Sequence, residues 1–315
     1  MASVTSSTVQ VKKKPLGQRM KKYWGFYLMF IPVLLFVAVF HYAPMFGIRY
    51  AFYSWKIVGD PKWVGLANFE KLFKQSQFSI SFTNTIIFSV VKLLLNTGLA
   101  VVISLLLNEM VSLKFKKLSQ TVIYLPHFMS WVVTASVFSL LLAPSGSGLI
   151  NQLLIRAGII KEGIYFLADK GWWRVWYYII NVWRETGWQT IIFMATLTGI
   201  DPGIYEAASI DGAGRWKKMR YVTMPALANT IITVLILNLA KIMNLFESVF
   251  VLQNDSVKRA TNVLQTYVYY QTFNSGASAD YGYTTAIGLF RSLVGLALML
   301  ICNYASKRVR GRGIV

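Results

Sequence analysis

Long runs of apolar residues alternate with shorter polar stretches along this chain. Six apolar blocks stand out, at residues 24–43, 82–107, 120–143, 174–199, 225–252 and 283–304. Each reaches the roughly 20 residues that cross ~30 Å of hydrocarbon at about 1.5 Å per residue. Only helices and closed barrels satisfy every backbone group in lipid, and a barrel would show ~10-residue alternating segments instead. The pattern predicts an all-α polytopic membrane protein with six transmembrane helices.

Charge orients these blocks. With a cytoplasmic N-terminus, segments 1–23, 108–119, 200–224 and 305–315 lie inside and carry 17 Lys/Arg in 71 residues. The outer loops 44–81, 144–173 and 253–282 carry 10 in 98 residues, so both termini are expected in the cytoplasm. The net charge of +20 then reads as topology determinants facing membrane lipid, and nucleic acid is not an expected partner. The first block follows Lys12–Lys14 and Lys21-Lys22 without a cleavage site and reads as a retained anchor. Cys302 is the only cysteine, which excludes an internal disulfide or a cysteine-based metal site.

The expected organisation is a basic tail (1–23), a peripheral first helix (24–43) with its outer loop (44–81), a five-helix core (82–304) and a basic tail (305–315). The outer loops are too short for cores of their own. Residues 68–73 and 149–157 read as short helices, and residues 144–148 as a turn. Trp172 and Trp173 are expected at the membrane interface.

The loop 200–224 is unlike the others. Asp201-Pro202 supplies a cap and a proline at the first helical position, and Glu206-Ala207-Ala208 propagates a helix. Gly212 stops it by taking the left-handed conformation. A second short helix is expected over 215–221, before Pro225 opens the fifth span.

The spacing Glu206-Ala207-Ala208, three residues, Gly212, nine residues, Val222-Thr223-Met224-Pro225 closely resembles the EAA motif of ABC-importer permeases. Val222 and Met224 replace the isoleucine and leucine of that pattern. The resemblance implies a coupling loop that docks on a cytoplasmic ATPase through Glu206, Ala207, Ala208, Asp211, Gly212 and Trp216. It further implies a second similar permease, two ATPase copies and an extracytoplasmic solute-binding protein. Gly65-Leu66-x-Asn68-Phe69 is similar to the carbohydrate-uptake (maltose-type) branch. Lys92 and Thr285-Ala286-x-Gly288-Leu289-Phe290 are similar to its polysaccharide and acidic-oligosaccharide sub-branch, which includes alginate and pectin-fragment importers.

The chain has no G-x-x-x-x-G-K-[S/T] phosphate loop, so no cofactor is expected on it; ATP and Mg would be bound by the partner ATPase. His41 and His127 lie 86 residues apart without H-E-x-x-H, and no G-x-S-x-G turn is present. His127 reads as a polar packing residue. The chain is expected to be a transport subunit and not an enzyme.

Counted inward from the outer ends of their spans, Lys92, Arg184, Lys241 and Arg291 all fall roughly 12–17 Å deep. Each such cation costs roughly 2.5–3.5 kcal/mol against lipid, so all four must face polar groups or water. Asn96 shares a stripe with Thr85, Ser89 and Lys92; Glu185 and Gln189 flank Arg184; Asn244 and Glu247 follow Lys241. Two readings stand: salt bridges that staple helices together, or a hydrated path suited to anionic, uronic-acid-containing oligosaccharides. Trp183, Trp188, Phe246 and Tyr281 are the candidate surfaces for sugar rings. The rivals are a permease for neutral sugars, an ion-coupled secondary carrier with Glu185 or Glu247 as proton site, and a membrane-embedded enzyme, which no nucleophile or metal constellation supports.

Overall fold

The computed structural model describes residue 17 and residues 21–144, 148–276 and 279–310. The rest of the basic N-terminal tail, the centre of the turn at 144–148 and the last five residues lie outside the described residues. The chain divides into two compact units after Tyr50.

In the first unit, helix α1 (Trp24–Val37) runs into a π-helical turn at Ala38–Tyr42. No side chain of α1 is buried, and its surface is apolar on every side, as suits lipid or a neighbouring membrane helix.

The second unit opens with a two-stranded hairpin, β1 (Tyr53–Ser54) and β2 (Lys62–Trp63), in antiparallel register with Tyr53 opposite Trp63. Helix α2 (Ala67–Lys74) follows, then α3 (Ser76–Asn108), 33 residues long and starting six residues before the predicted span. Helices α4 (Leu113–Tyr124) and α5 (Trp131–Leu141) form the third predicted span, α6 (Leu149–Arg156) lies in the outer loop, and α7 (Lys170–Thr198) is the fourth. The loop helix α8 (Pro202–Ile210) leads to α9 (Arg215–Lys218), which continues through a π-turn into α10 (Met224–Ala240). Helices α11 (Phe246–Leu252), α12 (Lys258–Thr261), α13 (Leu264–Phe273) and α14 (Tyr281–Arg310) complete the chain.

Among the described residues, four helices are long and apolar enough to cross a bilayer: the one starting at Trp24, α3, the one starting at Arg215, and α14. The third predicted span is not straight. Its two pieces meet at 104°, after a 3₁₀ turn at Leu125–Phe128 that contains Pro126. Proline supplies no N–H to continue the helix, and the Ser130 hydroxyl restarts it by accepting from Val133 N at 3.2 Å. The fifth predicted span also breaks, between Ala240 and Phe246. Helix α7 has the length to span, about 43 Å for its 29 residues, but is too polar to qualify on apolar content.

That polarity has a packing reason. Helix α7 lies along α3 through much of its length, burying Tyr177, Ile180, Asn181, Thr186, Thr190 and Phe193. Trp173 sits in the core with Phe88, Tyr177 and Val249, and its indole donates to Leu252 O at 2.9 Å. Trp173 therefore packs inside the protein and does not face the headgroups: four residues before Tyr177, it falls on the helix face that meets α3. Trp172 stays 44 % exposed.

Asparagine side chains fix the outer segments, which have no cores of their own. Asn68 donates to Ala51 O and Tyr53 O, Asn84 to Ala260 O and Asn262 O, and Asn151 to Ala143 O and Ile164 O. At Gly282 the hairpin comes so close that a Cβ would lie 1.8 Å from Tyr53 O, so only glycine fits.

Candidate functional site

The breaks in the third and fifth spans open onto one polar cavity of about 270 Å³. Helix α3 supplies Ser89, Lys92 and Asn96, while α7 supplies Glu185 and Gln189. Trp131, the first residue of α5, forms another wall. The break after α10 contributes Lys241, Asn244 and Leu245, beside Asn238.

The second break exists because distant side chains satisfy its backbone. Gln265 Oε1 accepts from Leu245 N at 2.6 Å and Phe246 N at 2.8 Å, which restarts the helix as α11. The Ser89 hydroxyl donates to Ile242 O from the other side. The polar stripe on α3 therefore divides its work: Thr85 Oγ1 accepts from Leu264 N at 2.9 Å in the outer half, while Lys92 and Asn96 face the cavity.

Of the nine residues expected on the solute path, six line this cavity: Lys92, Asn96, Glu185, Gln189, Lys241 and Asn244. Arg184 does not. Its guanidinium donates to Met129 O through Nε at 3.0 Å and Nη2 at 2.8 Å, pairs with Glu185, and lies 4.6 Å above the Trp131 ring. It thus holds the first break in shape, as in the stapling reading. Glu247 is exposed, forms no ion pair among the described residues, and points away because α11 begins a new helix at Phe246. Arg291 lines a separate cavity of about 240 Å³ with Phe246 and Gly288. Equal depth in the sequence did not mean a shared site, since the helices present those depths to different neighbours.

Sequence reasoning missed two contributors. His127 Nδ1 stands 3.4 Å from Glu185 Oε2, and its ring stacks on Trp188 at 5.0 Å. Trp131 enters the wall because the chain turns sharply at Met129. The Pro126-His127 pair was the available signal for both. A larger cleft of about 590 Å³ lies among α3, α4 and α7, but Leu95, Leu99, Ile103 and Val122 line it and it suits an apolar neighbour.

The loop 200–224 has the predicted start and stop. Asp201 Oδ1 accepts from Gly203 N at 2.9 Å, and Pro202 begins α8. Gly212 has φ +74°, with Gly212 N bonded to Ser209 O and Ala213 N to Ala208 O, a left-handed helix stop. Beyond Gly212 the expected short second helix is instead the start of the fifth span, since a π-turn at Met219–Thr223 carries α9 into α10 without a break. Tyr205 bonds Thr223 at 3.0 Å and Lys218 bonds Ser209 at 2.6 Å, fixing α8 against this helix. Glu206, Ala207, Asp211 and Gly212 are exposed and Ala208 is half-buried. Ile210 and Trp216 are 88 % and 79 % exposed, an apolar pair left bare on a polar loop.

Membrane-length helices with discontinuous spans around a polar cavity are the architecture that solute-transport subunits use. Residues 100–311 match the model of the family described as binding-protein-dependent transport system inner membrane component. The polygalacturonan/rhamnogalacturonan transport system permease YteP of Bacillus subtilis (strain 168) is 38 % identical over 308 residues, covering 96 % of this chain and 94 % of its own. A bacterial ABC transporter involved in import of the acidic polysaccharide alginate contains a chain of the same fold, with TM-score 0.86 and 32 % identity over 94 % of this chain and 99 % of that one. A second structure of a bacterial alginate ABC transporter, in complex with an alginate pentasaccharide-bound periplasmic protein, matches at TM-score 0.86 and 31 % identity over 95 % and 99 %. The chain belongs to the permeases of binding-protein-dependent ABC importers of the carbohydrate-uptake type. It is a multi-pass inner-membrane transport subunit and not an enzyme, and the secondary-carrier reading falls with that membership.

Proposed function

We propose that this permease imports acidic, uronic-acid-containing oligosaccharides, with the cavity between α3, α7 and the break after α10 as its solute site. The carrying observation is the charge arrangement around it. Glu185 is already engaged by Arg184, whereas Lys92 and Lys241 make no ion pair among the described residues. The cavity therefore offers a net positive wall, and an intramembrane cation without a protein partner favours an anionic solute. Polygalacturonan and alginate, named for the relatives above, are both polyuronates, which supports the same class.

In this reading an extracytoplasmic binding protein delivers the sugar to the outer mouth. A second, similar permease completes the pathway, and two ATPases bind ATP and Mg. The exposed Glu206–Gly212 segment with Ile210 and Trp216 is the handle those ATPases grip. Because α9 is continuous with α10, a pull on this loop is transmitted along a rigid helix to the break that carries Lys241 and Asn244. The cavity then changes the side to which it opens.

The test is uptake by the importer, co-purified with its ATPase and binding protein and placed in liposomes, with oligouronates and neutral oligosaccharides compared. Lys92→Gln and Lys241→Gln are expected to lower oligouronate uptake about tenfold, the effect of losing one charge-assisted hydrogen bond, and to leave neutral sugars within about twofold. Equal losses for both classes would place these lysines among the structural staples and favour the neutral-sugar reading.

A further inference from the structure

Side-chain amides do two different things in this protein. Asn68, Asn84 and Asn151 each bond two backbone carbonyls and fix outer segments, and Gln265 holds the break before α11. Asn96 and Gln189, in the wall of the polar cavity, tie no backbone. Asn96 is 3 % exposed, yet its Oδ1 is buried without a hydrogen-bond partner among the described residues, and Gln189 Oε1 is likewise buried without one. A buried oxygen in that state costs stability until something bonds it. Packing alone would favour an apolar side chain of similar size at either position.

The two amides share a level. Helices α3 and α7 run side by side: Phe88 meets Tyr177 at 5.3 Å towards their outer ends, and Ala100 shares a core with Phe193 towards their inner ends. On α3, Asn96 stands four residues beyond Lys92; on α7, Gln189 stands four beyond Glu185. All four line the cavity, so each amide lies one helical turn, about 6 Å, beyond a charged residue on the same face. The wall has a tier of charge and, next to it, a tier of unbonded amides.

We infer that Asn96 and Gln189 are specificity-determining residues that bind the vicinal hydroxyls of the sugar unit whose carboxylate the lysines attract. This rests on the oligouronate reading proposed above and adds to it which other part of the sugar the permease reads. In a uronate unit joined through its first and fourth carbons, the carboxylate hangs from one edge of the ring. The hydroxyls on the second and third carbons occupy the opposite edge, so the two tiers of the wall match the two edges of one ring. An amide suits that second edge because its oxygen accepts from one hydroxyl while its NH₂ donates to a neighbour. Charge alone would admit any oligouronate. Amides placed for hydroxyls make the permease sensitive to their number and configuration, since a buried polar group left unbonded by the wrong sugar penalises it.

The experiment uses the complete importer carrying Asn96→Leu or, independently, Gln189→Leu. Without solute, the unfolding temperature of each variant should hold level or rise, because a buried unbonded oxygen has been removed. In liposomes, the half-saturating concentration for trigalacturonate should rise about tenfold, the effect of one hydrogen bond to a buried acceptor. Trigalacturonate analogues lacking the hydroxyl on the second or the third carbon should cost the unsubstituted importer a similar factor. A variant should lose nothing further with the analogue missing the hydroxyl its amide binds. Unaffected uptake, or penalties of substitution and analogue that multiply undiminished, would overturn the inference and leave the amides as packing groups. Neutral trigalactosides and their deoxy analogues run in parallel separate the two claims. The same cancellation there, with oligouronates not carried at all, would keep the amide assignment and reject the acidic substrate.

Discussion

The breaks in the third and fifth spans look alike in outline but are made differently. The first is written in its own segment, where Pro126 ends one helix and Ser130 caps the next, and Arg184 of α7 only adds two hydrogen bonds to the freed Met129 carbonyl. The second has no proline at all. It depends on Gln265, some twenty residues further on, and on Ser89 from another helix, both binding backbone groups of residues 242–246. A local break persists wherever the segment is placed, whereas a borrowed one lasts only while its partners stay packed. The borrowed break carries Lys241 and Asn244 and adjoins the helix leading from the loop that faces the cytoplasm in the predicted topology, so it is the better candidate for the part that moves.

Substitutions at three positions sharpen this difference. Gln265→Leu leaves two backbone N–H groups, one of them on buried Leu245, without an acceptor. At roughly 1–3 kcal/mol each it should have the largest effect, read as a lowered unfolding temperature of the purified importer and lost uptake. Arg184→Gln frees the Met129 carbonyl and leaves Glu185 without its ion-pair partner, and about 2 kcal/mol of destabilisation is expected. Arg184→Lys should recover only part of this, because an ammonium lacks the fork that reaches one carbonyl with two donors. Pro126→Ala should matter least, about 1 kcal/mol in the same unfolding measurement, since Ser130 and Arg184 still hold the bend. A Pro126 variant more harmful than the Gln265 variant would reverse the comparison.

The same distinction explains what could be read from the chain alone. The first, second, fifth and sixth spans were legible because length and apolarity are local properties, and so were the Asp201 cap and the Gly212 stop of the loop. The cavity was legible in part: Lys92, Asn96, Glu185, Gln189, Lys241 and Asn244 do meet, because an isolated polar side chain in a span must find company. Arg184, Glu247 and Arg291 do not join that cavity, because depth along a helix says nothing of rotation about it once the helix bends. Glu247 in particular was read on one continuous fifth span, and the Gln265 hydrogen bonds that end that continuity lie beyond any local window.

Helix α7, the span least able to qualify on apolarity, is also the one laid most intimately against α3. During synthesis α3 emerges first, so a matching face is already waiting when α7 leaves the ribosome. A segment bearing Arg174, Arg184 and Glu185 has little reason to enter lipid by itself. The order of the helices in the chain is therefore an assembly instruction: the hydrophobic strut is inserted ahead of the charged one that leans on it.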